Sequence, residues 1–412
     1  MGTAISSTKA ATRPAAYSPI LARLGDLCET STGGTPSRGN SDLFRGTTPW
    51  VKSGELPDGL VTTTEERISD EAFSRCNVSL LPKGTLLMAM YGATVGKLGI
   101  LGMPAATNQA VCAITPNPSL DRNYLFYWLL SIRQELIANS FGGAQPNISQ
   151  SVVRNISVPL VPTHEQRRIA ATLHDQLAAV AEARAAVQAQ FDAARTLPAA
   201  YLRAVFNSPA ATRWPKRHIG EVAKIQSGYA FKSEWFAGDG IRLLRNANVS
   251  QDRIDWTETA RLPATRRAEF PAYELSEGDI ILSLDRPVVS GGLKVARVSS
   301  ADLPALLLQR VGRFQLKESI QADYLYHFLH TQDFIGEITA HDQSLGVPHV
   351  SPKQVEQVQL PVPSMAEQCT IAARIEAELG DASALAAHLS ARLTALDHLP
   401  SALLREAFAG RV

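Results

Sequence analysis

Residues 173–194 read LHDQLAAVAEARAAVQAQFDAA, and the side chains along one face of this stretch recur in alternating steps of four and three. Residues 375–396 read IEAELGDASALAAHLSARLTAL and repeat the pattern in the same register. Such steps average 3.5 residues, the repeat of a coiled-coil seam. The seam positions hold Leu173, Leu177, Val180, Arg184, Val187, Phe191 and Ala194 in the first stretch, and Ile375, Leu379, Ala382, Ala386, Leu389, Leu393 and Leu396 in the second. We predict two long helices that pair with each other; the alternative is that each helix lies alone on its own domain.

The sequence that precedes each helical stretch is repeated as well. The segment LGDL at 24–27 has a counterpart in IGEV at 219–222, and LPKG at 81–84 has one in LSEG at 275–278. Further matches join Tyr124 to Tyr324, Pro159 to Pro361, and Glu165-Gln166 to Glu367-Gln368. A repeat that includes both the domain and its helix indicates duplication of one complete unit.

The repeat predicts the fold class and the domain boundaries. Strand-like runs at Thr85–Met90 and Asp279–Leu284 and helices at Tyr124–Ala138 and Tyr324–Thr339 indicate α+β domains. We predict two repeated α+β domains separated by two long helices that form an antiparallel coiled coil. The predicted parts are a flexible N-terminal tail at 1–16, a first domain at 17–160, a helical spacer at 161–208, a second domain at 209–362 that opens with a short linker at 209–213, and a second helical spacer at 363–412.

Composition excludes several classes of protein. The 40 Lys and Arg residues are balanced by 39 Asp and Glu residues, so any nucleic-acid binding must rest on local patches or on a partner. The four cysteines form no CxxC pair, which predicts a reducing, cytoplasmic setting and no metal site. No apolar run reaches the roughly 18 residues that a membrane helix needs, so no membrane association is expected.

Several short motifs follow one another in a fixed order. They are LGD at 24–26 with Gly33, PWVKSG at 49–54, Gly84 before an apolar strand, YGATVG at 91–96, Asn108-Gln109, and the exit Val158-Pro159 with Glu165-Gln166. In this order and with this repetition the chain resembles the specificity subunit of type I restriction-modification systems. The resemblance implies two target-recognition domains, each reading one half of a bipartite, asymmetric site in double-stranded DNA. It also implies no catalytic centre, no cofactor, docking of two methyltransferase subunits, and motor-nuclease subunits that join the full complex.

The polar residues of the loops are the predicted DNA contacts. Cations suit phosphates, amides suit adenine edges and arginine suits guanine. The candidates are Lys52, Ser53, Tyr91, Thr94, Lys97, Asn108 and Gln109 in the first domain, and Arg245, Asn246, Asn248, Arg286, Lys294, Gln309 and Arg310 in the second. For both Trp50 and Tyr91, packing in the core and contact with DNA are equally good interpretations. The predicted partner-docking residues are Glu165, Gln166, Glu367 and Gln368.

The loop residues differ between the repeats while the scaffold positions agree. The segment MYGAT at 90–94 is replaced by LDRPV at 284–288, as one fold with two specificities would require.

The length of the two helices suggests a molecular ruler that holds the two domains about one turn of DNA apart. If a two-fold axis relates the repeats, the helices run antiparallel, and 172–197 spans roughly 40 Å at 1.5 Å per residue. One turn of B-DNA is about 34–36 Å.

One glycine-containing run is similar to a phosphate-binding loop. The run GATVGK at 92–97 differs from a phosphate-binding loop, because only three residues separate its glycines and Leu98 follows the lysine. A tight turn that offers backbone N–H groups to a DNA phosphate is the preferred interpretation.

Two other functions stay open for the chain from the sequence alone. They are an enzyme whose motifs are not recognised and a scaffold that binds only proteins.

Overall fold

The computed structural model describes residues 19–138, 147–289, 292–340 and 349–409. The predicted tail at 1–16 lies outside these ranges. The chain forms two compact units, one of residues 1–187 with 392–412 and the other of residues 188–391. Each unit therefore combines one repeated domain with a segment of each helical spacer.

The first domain is built on two main sheets and one two-stranded sheet, which joins its first strand to its last. Its strands are β1 (Ile20–Arg23), β2 (Cys28–Thr32), β3 (Thr48–Val51), β4 (Gly59–Val61), β5 (Glu66–Ile68), β6 (Leu86–Ala89), β7 (Leu98–Leu101), β8 (Ala106–Thr107), β9 (Val111–Pro116) and β10 (Ser157–Leu160). Its helices are α1 (Leu24–Leu27), α2 (Asp70–Arg75), α3 (Arg122–Ser131), α4 (Arg133–Ala138) and α5 (Gln150–Arg154). One sheet has the order β2-β9-β6-β7-β4 and the other β5-β3-β8, with β3 parallel to β8. All four residues of β6 are buried, as expected for a strand covered on both faces.

The helical spacers follow the domains. The first consists of α6 (Thr163–Ala194) and α7 (Leu197–Phe206), and the second, after the second domain, is one long helix over Met365–Phe408. Pro198 lies in the first turn of α7, where its missing N–H is not needed, and the second spacer helix continues through Pro400.

The second domain repeats the topology of the first, except that its main sheet has four strands instead of five. Its strands are β11 (Lys216–His218), β12 (Ala223–Ser227), β13 (Ile241–Leu244), β14 (Val249–Ser250), β15 (Arg253–Ile254), β16 (Ala260–Leu262), β17 (Ile280–Ser283), β18 (Val288–Val289), β19 (Gly292–Leu293), β20 (Val295–Arg297), β21 (Ala305–Leu307), β22 (Val311–Leu316) and β23 (Gln359–Pro361). Its helices are α8 (Ile219–Val222), α9 (Ala322–Leu329), α10 (Gln332–Thr339) and α11 (Pro352–Gln357), and the second spacer helix is α12. The sheets have the orders β12-β22-β17-β20 and β16-β13-β21, with β13 parallel to β21.

The helix at the end of each domain differs from its prediction. The sequence predicted one helix over Tyr124–Ala138 and one over Tyr324–Thr339, but each is a pair of shorter helices. In the second domain Thr331 starts α10, because its hydroxyl accepts a hydrogen bond from Phe334 N. A side-chain cap of this kind begins a new helix and so ends the preceding one.

Along the seam of each spacer helix, every seventh residue is buried. Leu173, Val180, Val187 and Ala194 are buried in α6, as are Ile375, Ala382 and Leu389 in α12. The seam positions between them, such as Leu177 and Leu379, are half-buried, except for Arg184, which is exposed. This spacing confirms the 3.5-residue repeat.

Within each unit the two spacers contact each other and the domain. In the first unit Arg184 Nε lies 2.6 Å from Asp397 Oδ1, while Leu173 shares a cluster with Leu404 and Ala407, so these segments run antiparallel. The ring of Phe408 packs edge-on against the ring of Tyr124. In the second unit the ring of Phe206 packs against Tyr324 and Phe328, in a cluster that includes Leu202, Ile375 and Leu379. The predicted α+β domains with paired long helices are confirmed, and no seam helix lies alone on its domain within the described ranges.

None of the helices in the described part of the chain is long and apolar enough to span a membrane.

Candidate nucleic-acid interface

Three loops of the first domain meet at one edge of its sheets. Lys52 and Asn108 directly follow the parallel neighbours β3 and β8, and Asn108 N donates to Val51 O at 3.0 Å. The turn after β6 joins them, because Met90 N donates to Ala110 O at 2.8 Å. The carboxyl ends of neighbouring parallel strands lie together, so the residues 52–55, 90–97 and 108–110 form one surface, which we call the loop edge.

The second domain forms an equivalent loop edge from residues 245–248, 284–287 and 308–310. Leu308 N donates to Leu244 O at 3.1 Å, and Leu284 N donates to Arg310 O at 2.9 Å. Lys97 and Lys294 occupy equivalent positions after the turns that follow β6 and β17. Ala89 N donates to Lys97 O, and Ser283 N donates to Lys294 O. The predicted contact segments are therefore brought together in both domains, in the same topological position.

A glycine lets another strand pass close to each loop edge. A Cβ at Gly33 would lie 2.0 Å from Thr107 O, and one at Gly228 would lie 2.2 Å from Leu308 O. Both distances are shorter than any van der Waals contact. Only glycine fits at these positions, which gives a physical reason for the glycine that follows LGD and IGEV in the repeats.

The exposed candidates of the first loop edge are Tyr91, Lys97 and Gln109. Tyr91 is 41% exposed, and Gln109 accepts a hydrogen bond from the Thr35 hydroxyl. Ser53, Thr94 and Asn108 are half-buried. Asn108 Oδ1 is buried and has no hydrogen-bond partner among the described residues. Exposed amide and cationic groups on one surface can face a DNA groove and its phosphates.

Lys52 and Trp50 have internal roles. Lys52 Nζ lies 2.7 Å from Glu65 Oε2 and 3.0 Å from Glu66 Oε1, and the hydrogen bonds that it donates to these carboxylates raise the pKa of Lys52. The two acids largely neutralise this cation as a phosphate contact. Trp50 is 1% exposed and donates from Nε1 to Gly34 O at 3.1 Å, so Trp50 is a core residue.

The second loop edge exposes Arg286, Gln309 and Arg310. Lys294 is half-buried, with Nζ 2.7 Å from Asn246 O and 2.6 Å from Asn246 Oδ1, and burial lowers the pKa of Lys294. Arg245 is half-buried, and its Nη2 donates to Glu258 O at 2.6 Å.

Asn248 lies inside the second domain. It is 1% exposed, and its Nδ2 donates to Asp255 O at 2.8 Å and to Glu258 O at 2.9 Å. Its Oδ1 accepts from Arg245 N. The sequence placed Asn248 among the DNA contacts, whereas the structure leaves its side chain no surface to offer DNA.

Two acidic residues that stabilise the loops were not predicted from the sequence. Asp58 and Asp252 follow matching turns at φ 60° and 58°, a region that asparagine and aspartate tolerate better than most residues. Asp58 pairs with Arg133 in α4. Asp252 accepts from Tyr326 Oη at 2.6 Å and lies 2.8 Å from His330 Nε2. An aspartate at the same place in both repeats was the signal that could have identified them.

The four predicted docking residues lie where the long helices begin. Gln166 and Gln368 are buried: their Oε1 atoms accept from the backbone N–H groups of Asp121 and Gln321 at 2.7 and 2.9 Å. Their amide groups also donate to one backbone carbonyl of the domain, Ser119 O or Ser319 O, and to one just before the helix, Val161 O or Pro363 O. These glutamines tie each domain to its helix.

The two glutamates beside them differ in exposure. Glu165 is half-buried and Glu367 is exposed, so any partner contact at these positions falls to the glutamates. Hydrogen bonds from Arg168 lower the pKa of Glu165, and hydrogen bonds from Ser364 lower the pKa of Glu367.

No group of acidic, histidine and cysteine side chains suited to a metal ion occurs in the described ranges. The four cysteines are free thiols, and burial raises the pKa of Cys28 and Cys112 to about 12.

Comparison with known proteins places both repeats in one family. Residues 21–185 and 212–395 match the model of the type I restriction modification DNA specificity domain. The EcoAI specificity subunit of Escherichia coli is 40% identical over 164 residues, which span 40% of this chain and 28% of that protein. The MjaVIII specificity subunit of Methanocaldococcus jannaschii is 25% identical over 367 residues, covering 86% of this chain and 85% of that one.

Two solved structures share the fold. The HsdS subunit from Thermoanaerobacter tengcongensis has 21% sequence identity and a TM-score of 0.68, over 95% of this chain and 97% of that chain. A chain from a structural study of complex assembly and conformational transition in the type I R-M system has 20% identity and a TM-score of 0.72, over 95% of this chain and 98% of that chain. At these identities the likeness concerns the fold.

Proposed function

Because the chain belongs to the family of type I restriction-modification DNA specificity subunits, we propose that its two domains each read one half of a bipartite, asymmetric site in double-stranded DNA. The chain is a recognition subunit, and it does not itself cleave or methylate DNA.

The carrying observation is that the two domains present equivalent loop edges with different exposed side chains. The first offers Tyr91 and Lys97 and the second offers Arg286 and Arg310, while both offer a glutamine at the same position, Gln109 or Gln309. Amides pair with adenine edges and arginines with guanine edges in the major groove. Two domains with similar scaffolds and different exposed side chains suit a DNA site whose two halves differ in sequence.

Gln109 and Gln309 provide a matched test. Both are exposed and both lie in the turn that follows the second strand of a parallel pair. With the methyltransferase partner present, Gln109→Ala should relax the specified bases of one half of the site, and Gln309→Ala those of the other half. A good base contact contributes about 1–3 kcal/mol of discrimination. Sequencing of methylated genomic sites reads both halves at once. A variant that alters both halves, or neither, would contradict the assignment of one half to each domain.

We further propose that the helical spacers set the gap between the half-sites and dock two methyltransferase subunits, with motor-nuclease subunits joining the full complex. Two equivalent regions on one chain suit two equivalent partners. The near-neutral charge of the chain fits this arrangement, because partner subunits then supply many of the phosphate contacts. Native mass measurement should give two methyltransferases per chain, and a one-to-one complex at saturation would contradict duplicated docking.

A further inference from the structure

A buried carboxylate holds the central arginine of the second loop edge. Asp285 Oδ2 accepts a hydrogen bond from Arg310 Nη1 at 2.7 Å, and Asp285 Oδ1 lies 2.6 Å from His349 Nδ1. The Arg310 side chain is 67% exposed, whereas that of Asp285 is 8% exposed. Asp285 thus lies beneath the surface and fixes an arginine that lies on it.

The group around Asp285 is tightly connected. Ser283 Oγ lies 2.7 Å from Asp285 O and 2.6 Å from Asn246 Oδ1, and Lys294 Nζ donates to the same Asn246 oxygen. Burial disfavours the charged carboxylate, but hydrogen bonds from Arg310 and His349 hold the pKa of Asp285 below its ordinary value. The carboxylate therefore remains ionised and keeps its partners in place near neutral pH.

The backbone at the two exposed arginines is strained. Arg310 has φ 69° and Arg286 has φ 45°, in the left-handed region that residues other than glycine rarely adopt. Non-glycine residues persist there only when the surrounding contacts enforce the conformation, and such positions cluster at functional sites. At Arg310 the Asp285 contact and the Leu284 N to Arg310 O hydrogen bond hold this conformation.

The first domain makes the same backbone contacts without this carboxylate, and Ala110, in the position of Arg310, does not have a positive φ. Met90 N donates to Ala110 O there, just as Leu284 N donates to Arg310 O, and Tyr91 bridges to Asn147 as Asp285 bridges to His349. Asp285, Arg310 and His349 therefore replace tyrosine, alanine and asparagine on a common frame. A substitution of three contacting residues together on one frame is expected of a specificity determinant and unnecessary for the fold.

We propose that Asp285 is a positioning residue that fixes Arg310 to recognise a guanine in the DNA half-site of the second domain. The inference rests on the proposed function. Arg310 Nε and Nη2 have no protein partner among the described residues, so two donors remain for the O6 and N7 acceptors of guanine. An arginine already held in one rotamer loses less conformational freedom on binding, which favours the correct base.

The test uses the full chain assembled with its methyltransferase partner and duplexes that carry the site mapped for the parent protein. Replacing the contacted guanine by 7-deazaguanine removes N7 and should weaken binding of the parent protein roughly tenfold. Arg310→Ala should abolish this penalty. Asp285→Asn should reduce the penalty severalfold at the same guanine and leave the first half-site unchanged. The double variant should lose no more discrimination than Arg310→Ala alone, because Asp285 acts through Arg310.

Two further variants separate positioning from folding. Asp302 is also a buried carboxylate of the second unit, and it accepts from Ser299 Oγ at 2.6 Å and from Trp256 Nε1 at 2.7 Å. It precedes β21, whereas the loop edge follows that strand, so Asp302→Asn should lower stability without changing the 7-deazaguanine penalty. Asp285→Glu keeps the charge if Asp285→Asn fails to fold, and should give an intermediate penalty.

The outcomes are distinguishable. A full penalty in both Asp285 variants, additive losses in the double variant, or equal loss in Asp302→Asn would overturn the role of Asp285. If Arg310→Ala keeps the full penalty at every guanine of that half-site, the Arg310 contact itself fails and the inference about Asp285 falls with it. The assignment of one half-site to each domain is judged separately, by the Gln109 and Gln309 variants.

Discussion

His327 is a titratable group in the second unit whose proton affinity depends on its surroundings. It lies on α9 and is almost completely buried. Burial, followed by repulsion from Arg297, lowers the pKa of His327 to about 4. Its Nε2 lies 3.4 Å from Glu376 Oε2 on α12, so it sits where the domain meets its spacer helix. The other charged or titratable groups that act on it are His330, Asp323 and Asp252.

The lowered pKa of His327 predicts that the folded protein begins to lose stability at a pH above the range in which carboxylates ordinarily titrate. An unfolded histidine has a pKa near 6.5, so between pH 6.5 and about 4 the unfolded chain binds a proton that the folded unit does not. Stability should therefore be complete above pH 6.5 and fall as the pH drops through this window, by up to roughly 3 kcal/mol. Denaturant unfolding at a series of pH values should show this slope, and His327→Gln should flatten it. His388→Gln, at an exposed site on α12, should keep the parent slope. Equal slopes in the parent protein and His327→Gln would contradict the assignment.

At the residue scale the sequence located the loops but could not assign a role to each side chain. Asn108, Gln109 and Lys97 were predicted on the surface that the topology brings together. For Asn248 and Trp50 the sequence could not distinguish a buried residue from a DNA contact. Burial depends on distant segments that the local sequence does not specify. Asp285 was overlooked because its contacts, Arg310 and His349, lie 25 and 64 residues away.

At the scale of elements the period of the seam is predictable because every turn of the helix contributes to it. Burial at Leu173, Val180, Val187 and Ala194 follows the predicted register. The break between α9 and α10 escaped prediction because one threonine cap outweighs a continuous apolar pattern. Arg184, the charged seam residue, is exposed and pairs with Asp397, so the seam accommodates it without burying a charge.

Val187 and its neighbour Ala186 provide a matched test of the seam. Val187 is buried and Ala186 is exposed, on the same turn of α6. Val187→Asp places an unpaired charge in the seam and should cost on the order of 3 kcal/mol or more, whereas Ala186→Asp should change stability by less than about 0.5 kcal/mol. Thermal unfolding and the methylated-site map measure the effects on stability and on the gap. Similar behaviour of the two variants would show that the helices do not pair at Val187.

At the scale of the whole molecule, the duplication was readable because its matches are spread over the length of the chain. Both repeats carry the LGD-like opening, the glutamine that ties the domain to its helix and the seven-residue seam. Gln166 and Gln368 show why such matches persist, since each makes three hydrogen bonds that fix the direction in which its helix leaves the domain. A fixed exit direction is required if helix length is to determine the separation of two DNA-reading surfaces.

The proposed ruler makes a quantitative prediction about the DNA site. Four residues inserted near Val187 and four near Leu389 would lengthen the helix pair by about 6 Å and keep the seam roughly in phase. Because B-DNA rises about 3.4 Å per base pair, the unread gap should grow by one or two base pairs while both specified blocks stay the same. Seven inserted residues, a complete heptad, should add about three base pairs and serve as the in-phase control. Sequencing of methylated sites in cells that carry each variant measures gap and blocks together. A fixed gap with altered blocks would show that the helices do not set the spacing, whereas a gap that grows in proportion to the insertion would identify helix length as the determinant.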